Sequence, residues 1–461
     1  MNRRNALPLL VAVLVMLCHG ISQAGEVSAP RKLSFDAFCS KVVSYYPKLA
    51  REGEGVEIAI ARKWQAYAGY LPRIYGNASM TTGDDQVYVF GTLLRQKSFT
   101  QSDFLLSSLN DPASRTNYNM GIYGEMPIFD AMQTIYRVRS SKFMLESAKH
   151  DQAFVKMEAV LVATDAYLHA LAIRDILKVT EEVVGDSEAD VKQAEDLKSK
   201  GMILGADYYA AKVMFGNIKS ARNELLEEKR RTDALLNILM GEDPLKAVEL
   251  SGDLRDNGSA LDKALDIWLI DAYRSREDLR SIESTMCSQQ AEMSRQKSTI
   301  LPRISGFGNL QENTQNFVKG GGTFTVGLKG DIDLFDPTYF GRVKEARASL
   351  KSLEYEKMIL ADSVRKDVTE EYSRYQTIVA NMPVVREMAG DSKEAVNLTL
   401  PLYREGRKSI ADLLEMRQSY LYIHKAYCNI LAGSGSSKAR LLFVSGSLDK
   451  AKAEAMMEGK N

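Results

Sequence analysis

Leu71-Pro72-Arg73-Ile74 returns as Leu301-Pro302-Arg303-Ile304, 230 positions later, and the reading of the whole chain turns on that recurrence. Upstream of each motif lies a charged segment of helical pattern, in which Leu49 falls opposite Leu279. Downstream, Ile128-Phe129-Asp130 matches Leu334-Phe335-Asp336 at an offset of 206. Gly185-Asp186-Ser187 then matches Gly390-Asp391-Ser392, and Gly201, Asp207 and Gly241 match Gly406, Asp412 and Gly446, all at 205. Several matches in one order at nearly one offset mean an internal duplication. The first copy carries an insertion, because Pro72 to Asp130 spans 58 positions and Pro302 to Asp336 only 34.

Each copy reads as a helix, two strands, a long helix, a turn and a further helix. In the second copy Phe324, Val326, Leu328, Ile332 and Leu334 alternate with Thr323, Thr325, Lys329, Asp331 and Asp333. The first copy alternates in the same way from Asn117 to Ile128. Its partner strand follows the first motif, with Ile74, Ala78 and Met80 on one side and Asn77, Ser79 and Thr81 on the other. Arg303 to Gln311 is the weaker counterpart in copy two. Such alternation marks strands with one apolar and one wet face, in a half-buried sheet or in a membrane barrel. Four strands cannot close a barrel alone, so the pattern calls for several copies. Gly320-Gly321-Gly322 reads as a tight turn between strands.

The helices are long. Ala131 to Lys200 contains no proline and one glycine, and at about 1.5 Å per residue it would extend roughly 105 Å. Gly341 to Glu405 is similar in length, with Pro383 and Pro401 its only prolines. Apolar residues at spacings of three and four, such as Met157, Val160, Ala163, Tyr167 and Leu171, are packing stripes.

Composition narrows the function. Lys+Arg and Asp+Glu are 60 each, a balance that argues against a general nucleic-acid binder. The 45% hydrophobic and 26% charged content excludes global disorder. Residues 1–24 read as a secretory signal peptide: Arg3 and Arg4, an apolar run from Leu9 to Leu17, then Ser22-Gln23-Ala24 at the cleavage site. Cys39, Cys287 and Cys428 remain beyond it and read as buried small apolar residues. The scattered His150, His169 and His424 lack metal-site spacing, so no cofactor, metal or catalytic residue is expected.

The paired motifs, the IFD and LFD exits into long helices, and the turns Gly201-Met-Ile-Leu-Gly205-Ala-Asp207 and Gly406-Arg-Lys408-Ser-Ile-Ala-Asp412 resemble the outer-membrane efflux proteins of the TolC type. The insertion from Val87 to Arg115 looks like the longer external loop of some members. The resemblance covers nearly the whole chain beyond residue 24. It implies a mainly α fold: a homotrimer with a twelve-stranded outer-membrane β-barrel continuing into a periplasmic α-helical barrel. Residues 25–241 and 263–446 would be the two repeats, 242–262 an equatorial linker and 447–461 a C-terminal tail. The implied function is passive export across the Gram-negative outer membrane, with a periplasmic adaptor and an inner-membrane transporter as partners. A soluble periplasmic coiled-coil adaptor or structural rod is the alternative.

The resemblance also implies a gate at the helix-hairpin tips, marked by Gly201, Gly205 and Gly406. It assigns entrance-closing roles to Asp207, Tyr403 and Lys408, where Lys408 replaces the family's arginine and loses the bidentate fork. Asp412 and Glu415 would form an acidic ring. The plainer reading is that Asp207 and Asp412 favour the starts of their helices.

Overall fold

A computed structural model of the chain describes residues 32–256, 261, 263–316 and 320–458, so the expected leader at 1–24 lies outside the described residues. The elements run β1 (Lys32–Leu33), α1 (Phe35–Tyr45), α2 (Pro47–Tyr67), β2 (Arg73–Gly83), α3 (Gln86–Arg95), α4 (Leu106–Asn110) and β3 (Arg115–Asp130). The long hairpin α5 (Gln133–Ser199) and α6 (Gly205–Met240) follows, then β4 (Glu249–Leu250), α7 (Leu265–Ser275) and α8 (Glu277–Ser298). Strands β5 (Arg303–Thr314) and β6 (Gly320–Asp331) lead into the second hairpin, α9 (Tyr339–Arg404) and α10 (Ile410–Val444), and the chain closes with α11 (Lys450–Glu458). The helical segment upstream of the first motif is two helices, broken between Tyr45 and Pro47, because the residue before a proline is pushed out of the helical region. The chain forms two packed units, residues 47–156 with 269–367, and the remainder.

In the first unit the strands form an antiparallel sheet in the order β2-β3-β5-β6. Register fixes its two faces, since directly opposed residues share a face. Ala78 opposes Met120, Ile122 opposes Leu310, and Leu310 opposes Phe324. Ile74, Met80, Met120, Ile122, Leu310, Phe324, Val326 and Leu328 thus make one apolar face, and all are exposed; Val326 is 78% exposed. The opposite face carries Asn77, Ser79, Asn117, Asn119, Asn309, Gln311, Asn313, Thr323, Thr325 and Lys329. There the amides form a ladder: Asn117 donates to Asn313 at 2.9 Å, Asn119 to Gln311 at 3.3 Å, and Gln311 to Asn309 at 3.1 Å.

The register slips between Pro127 and Phe129, where the proline has no N–H to give the ladder. Gly320 to Gly322 are not a turn. They open β6 opposite Thr314 to Glu312, and Gly321 is the position where a side chain would collide with the Arg95 carbonyl oxygen, 2.0 Å from its Cβ. The IFD and LFD aspartates start the long helices. Asp130 Oδ2 accepts from the Thr134 amide at 2.7 Å, and Asp336 Oδ1 accepts from the Thr338 amide at 2.8 Å. Helices α5 and α8 meet through hydroxyls, with Ser140 to Ser288 at 2.8 Å and Ser147 to Ser281 at 2.9 Å.

In the second unit, Phe35, Phe38, Cys39 and Val42 of α1 bury against Tyr167 of α5. The Tyr167 hydroxyl donates to the carbonyls of Leu33 and Ser251, tying β1 and β4 to the helix. Helix α11 joins the same core through Ala453 and Met456, and Lys450 pairs with Asp36. Cys39 and Cys428 are buried, and burial pushes their thiols up to about 11 and about 12. Cys287, on α8, departs from the expectation and is exposed.

Candidate pore entrance at the helix-hairpin tips

The two tips are built alike from their own sequence. After α5 the chain turns at Gly201 with φ of 69°, and after α9 at Gly406 with φ of 73°. This left-handed conformation suits glycine, which has no Cβ to clash. At each turn two amides return to the helix end. Gly201 N donates to Lys198 O at 3.0 Å and Met202 N to Leu197 O at 2.9 Å; Gly406 N donates to Tyr403 O and Arg407 N to Leu402 O, both at 2.9 Å. Gly205 is the first residue of α6 and has an ordinary φ.

The starts of the returning helices differ. Ser409 precedes α10 and forms a reciprocal capping box: its hydroxyl accepts from Asp412 N at 3.1 Å while Asp412 Oδ2 accepts from Ser409 N at 3.0 Å. The Ser409 amide, foremost, and its hydroxyl, which donates to the same Oδ2 at 3.0 Å, hold the Asp412 carboxyl below the usual range, with a smaller contribution from Lys408. At the first tip Leu204 stands where Ser409 stands at the second, and it offers no side-chain acceptor. Asp207, equivalent to Asp412, therefore has no hydrogen bond or ion pair among the described residues. Glu415 is exposed and equally unengaged.

Asp207 and Lys408 form no ion pair within the chain, and Lys408 is exposed beside Asp412 instead. Tyr403 is buried in the apolar cluster under the tips with Tyr208, Ile410, Leu413 and Leu414. Its hydroxyl is buried without a hydrogen-bond partner among the described residues, and burial, with the Asp190 charge next in weight, raises its pKa.

The closest tie between the two hairpins near this end is one that the sequence reading passed over. Arg417 of α10 is 4% exposed and its guanidinium lies 2.7 Å from Asp190 Oδ2 on α5. A second nitrogen donates to Ser187 Oγ at 3.3 Å, and Asp186 lies 3.9 Å away. Burial raises the Asp190 pKa, and Arg417 opposes that rise. The signal was present: Ile410, Leu413, Leu414, Arg417 and Leu421 fall at helical spacings of three and four, placing a charge on the buried stripe. A charge there needs a partner across the interface.

No family model matches the chain, and no curated protein matches it in sequence. Solved structures match over nearly its whole length. The CmeC outer membrane channel of Campylobacter jejuni is 15% identical with a TM-score of 0.74, covering 94% of this chain and 93% of that one. The outer membrane protein VceC of Vibrio cholerae is 12% identical with a TM-score of 0.71, covering 89% and 96%. The open-state MtrE outer membrane channel of Neisseria gonorrhoeae is 14% identical with a TM-score of 0.69, covering 89% and 88%. At such identities the likeness is one of architecture, and the chain has the fold of the TolC-type outer-membrane channels.

Proposed function

We propose that the chain is one third of an export duct: a homotrimer whose twelve strands close one barrel in the outer membrane of a Gram-negative cell. Its helical hairpins would continue the passage through the periplasm. The observation that carries this reading is the sheet itself. One face carries an exposed apolar band from Ile74 through Ile122 and Leu310 to Val326, and both edge strands, β2 and β6, lack a second neighbour among the described residues. A soluble rod would pay heavily for such a face, whereas hydrocarbon accepts it and strand-to-strand closure removes the edges. Barrel diameter grows with strand number, so twelve strands leave room for water beside the amide-lined face.

Transport in such a duct is passive and needs no catalytic residue. Energy and selection would come from an inner-membrane transporter joined through a periplasmic adaptor, in a tripartite efflux or type I secretion system. The tips would form the entrance, with Asp207, Glu415 and, more weakly, the capped Asp412 contributing negative charge that favours cations. Planar-bilayer conductance with native mass on the same detergent-extracted sample tests the reading. A trimer that opens cation-selective channels supports it; a channel-free monomer recovered from the soluble fraction overturns it.

A further inference from the structure

The copy-one insertion is not an open loop. It folds as α3, a 3-10 turn from Gln101 to Phe104, and α4. Phe90, Phe99 and Phe104 meet edge-on at 5.1 to 6.5 Å, and Val89, Thr92 and Leu93 are buried. The insertion is also fastened to one face of the sheet. Gln96 donates to Thr116 O and to Asn117 Oδ1, each at 3.0 Å. Arg115 donates to Gln96 Oε1 at 2.9 Å and to Ser98 Oγ at 2.6 Å, and the Tyr88 hydroxyl donates to Thr81 O at 2.6 Å.

Register decides which face that is. Arg115, Asn117, Asn313 and Gly321 share the polar face, and a Cβ on Gly321 would point at the Arg95 carbonyl oxygen. Asn117 and Asn313 are 7% and 2% exposed, whereas Thr323 and Thr325 on the same face are exposed. The insertion lies at the Gly83, Arg115 and Gly320 ends of the strands, while the helices attach at the Arg73, Asp130, Arg303 and Asp331 ends.

We propose that residues 86–110 are a second constriction of the duct, standing inside the lumen at the end remote from the helices. This rests on the duct reading, in which the polar face lines the passage. Three copies would bring three insertions into one barrel. The surface that each adds is partly apolar, with Leu94, Phe104 and Leu106 exposed, and a narrow apolar passage resists hydrated solutes by shedding water. The outer mouth therefore restricts what enters from outside by size and polarity, independently of the periplasmic tips.

Thr325→Cys in a Cys287→Ser background places a single reactive thiol on the wet face below the insertion, since Cys39 and Cys428 are buried with raised thiol pKa values. A small maleimide and a polymer-bearing maleimide are applied to intact cells, and modification of residue 325 is read by peptide mass. The full chain is expected to react with the small reagent and to exclude the large one. Replacing 84–114 with a two-residue turn, which the Gly83–Arg115 pairing accommodates, should raise the rate with the large reagent severalfold. Gly321→Ala, which pushes the Arg95 carbonyl off the sheet, should do so without shortening the chain. Equal rates with the large reagent in all three proteins overturn the constriction while leaving the duct intact. A thiol that neither reagent reaches, even in the shortened protein, overturns both.

Discussion

Arg417 and Asp190 face each other at 2.7 Å across α10 and α5, one 4% and the other 12% exposed at the side chain. The contact is an ion pair rather than an aligned hydrogen bond, since Asp190 Oδ2 has no hydrogen-bond donor in line with it. Taking away one member of a buried pair strands the other charge, at a cost of about 3–5 kcal/mol. Arg417→Ala is therefore expected to lower the unfolding midpoint far more than Arg417→Ala combined with Asp190→Asn. The pH dependence has a definite sign. Asp190 already binds its proton more tightly when folded than when unfolded, and losing Arg417 increases that preference. The single variant's deficit should thus be full above the raised folded pKa and shrink as pH falls below it. A thermal melt series that shows the deficit growing on acidification contradicts this account.

Tyr403 offers a test of the entrance assignment. Its hydroxyl is buried without a hydrogen-bond partner among the described residues, and leaving such a group unpaired costs roughly 1–3 kcal/mol. If the hydroxyl serves only this chain, Tyr403→Phe should hold or raise thermal stability and leave conductance unchanged. A latch role for Tyr403 requires a partner on a neighbouring copy. In that case the same substitution raises conductance of the trimer, and single-channel recording separates the two outcomes.

The unequal tips suggest a substitution that completes the first one. Leu204 is 70% exposed and stands at the N-cap of α6, three residues before the unengaged Asp207. Leu204→Ser should recreate the Ser409–Asp412 arrangement and stabilise the hairpin by about 0.5–2 kcal/mol, the usual worth of a polar N-cap. It should also draw the Asp207 carboxylate into hydrogen bonds. If Asp207 contributes to cation preference at the entrance, reversal-potential measurements will show that preference reduced.

The strands were readable because period-two alternation is a local property, and the long helices because glycine and proline are scarce between the turns. The repeat made both readings stronger, since Gly201 and Gly406 adopt the same left-handed turn. What failed was set by contacts distant in sequence. Gly320 to Gly322 look like a turn until the insertion arrives over Gly321, and only then is the absence of a side chain explained by packing. Ser409, three residues before Asp412, spells a capping box that does form, in line with the plainer reading of Asp412 at the start of its helix. Arg417 was overlooked for a related reason: a single charge in a long charged helix stands out only once its stripe is known to be buried.

The apolar face carries the membrane assignment, and Val326 is the sharpest place to challenge it. It sits midway along β6 opposite Gly308, is 78% exposed, and has Phe324 and Leu328 on the same face. In water, Val326→Arg would be a mild surface change or an improvement in solubility. In hydrocarbon it would cost about 2–4 kcal/mol near the midplane of a barrel, and three copies would multiply the effect. Thr325→Arg, one position away on the polar face, serves as the control. The expected outcome is loss of outer-membrane trimer for Val326→Arg with normal trimer yield for Thr325→Arg. Normal yields for both would place that face in water and remove the barrel from the account.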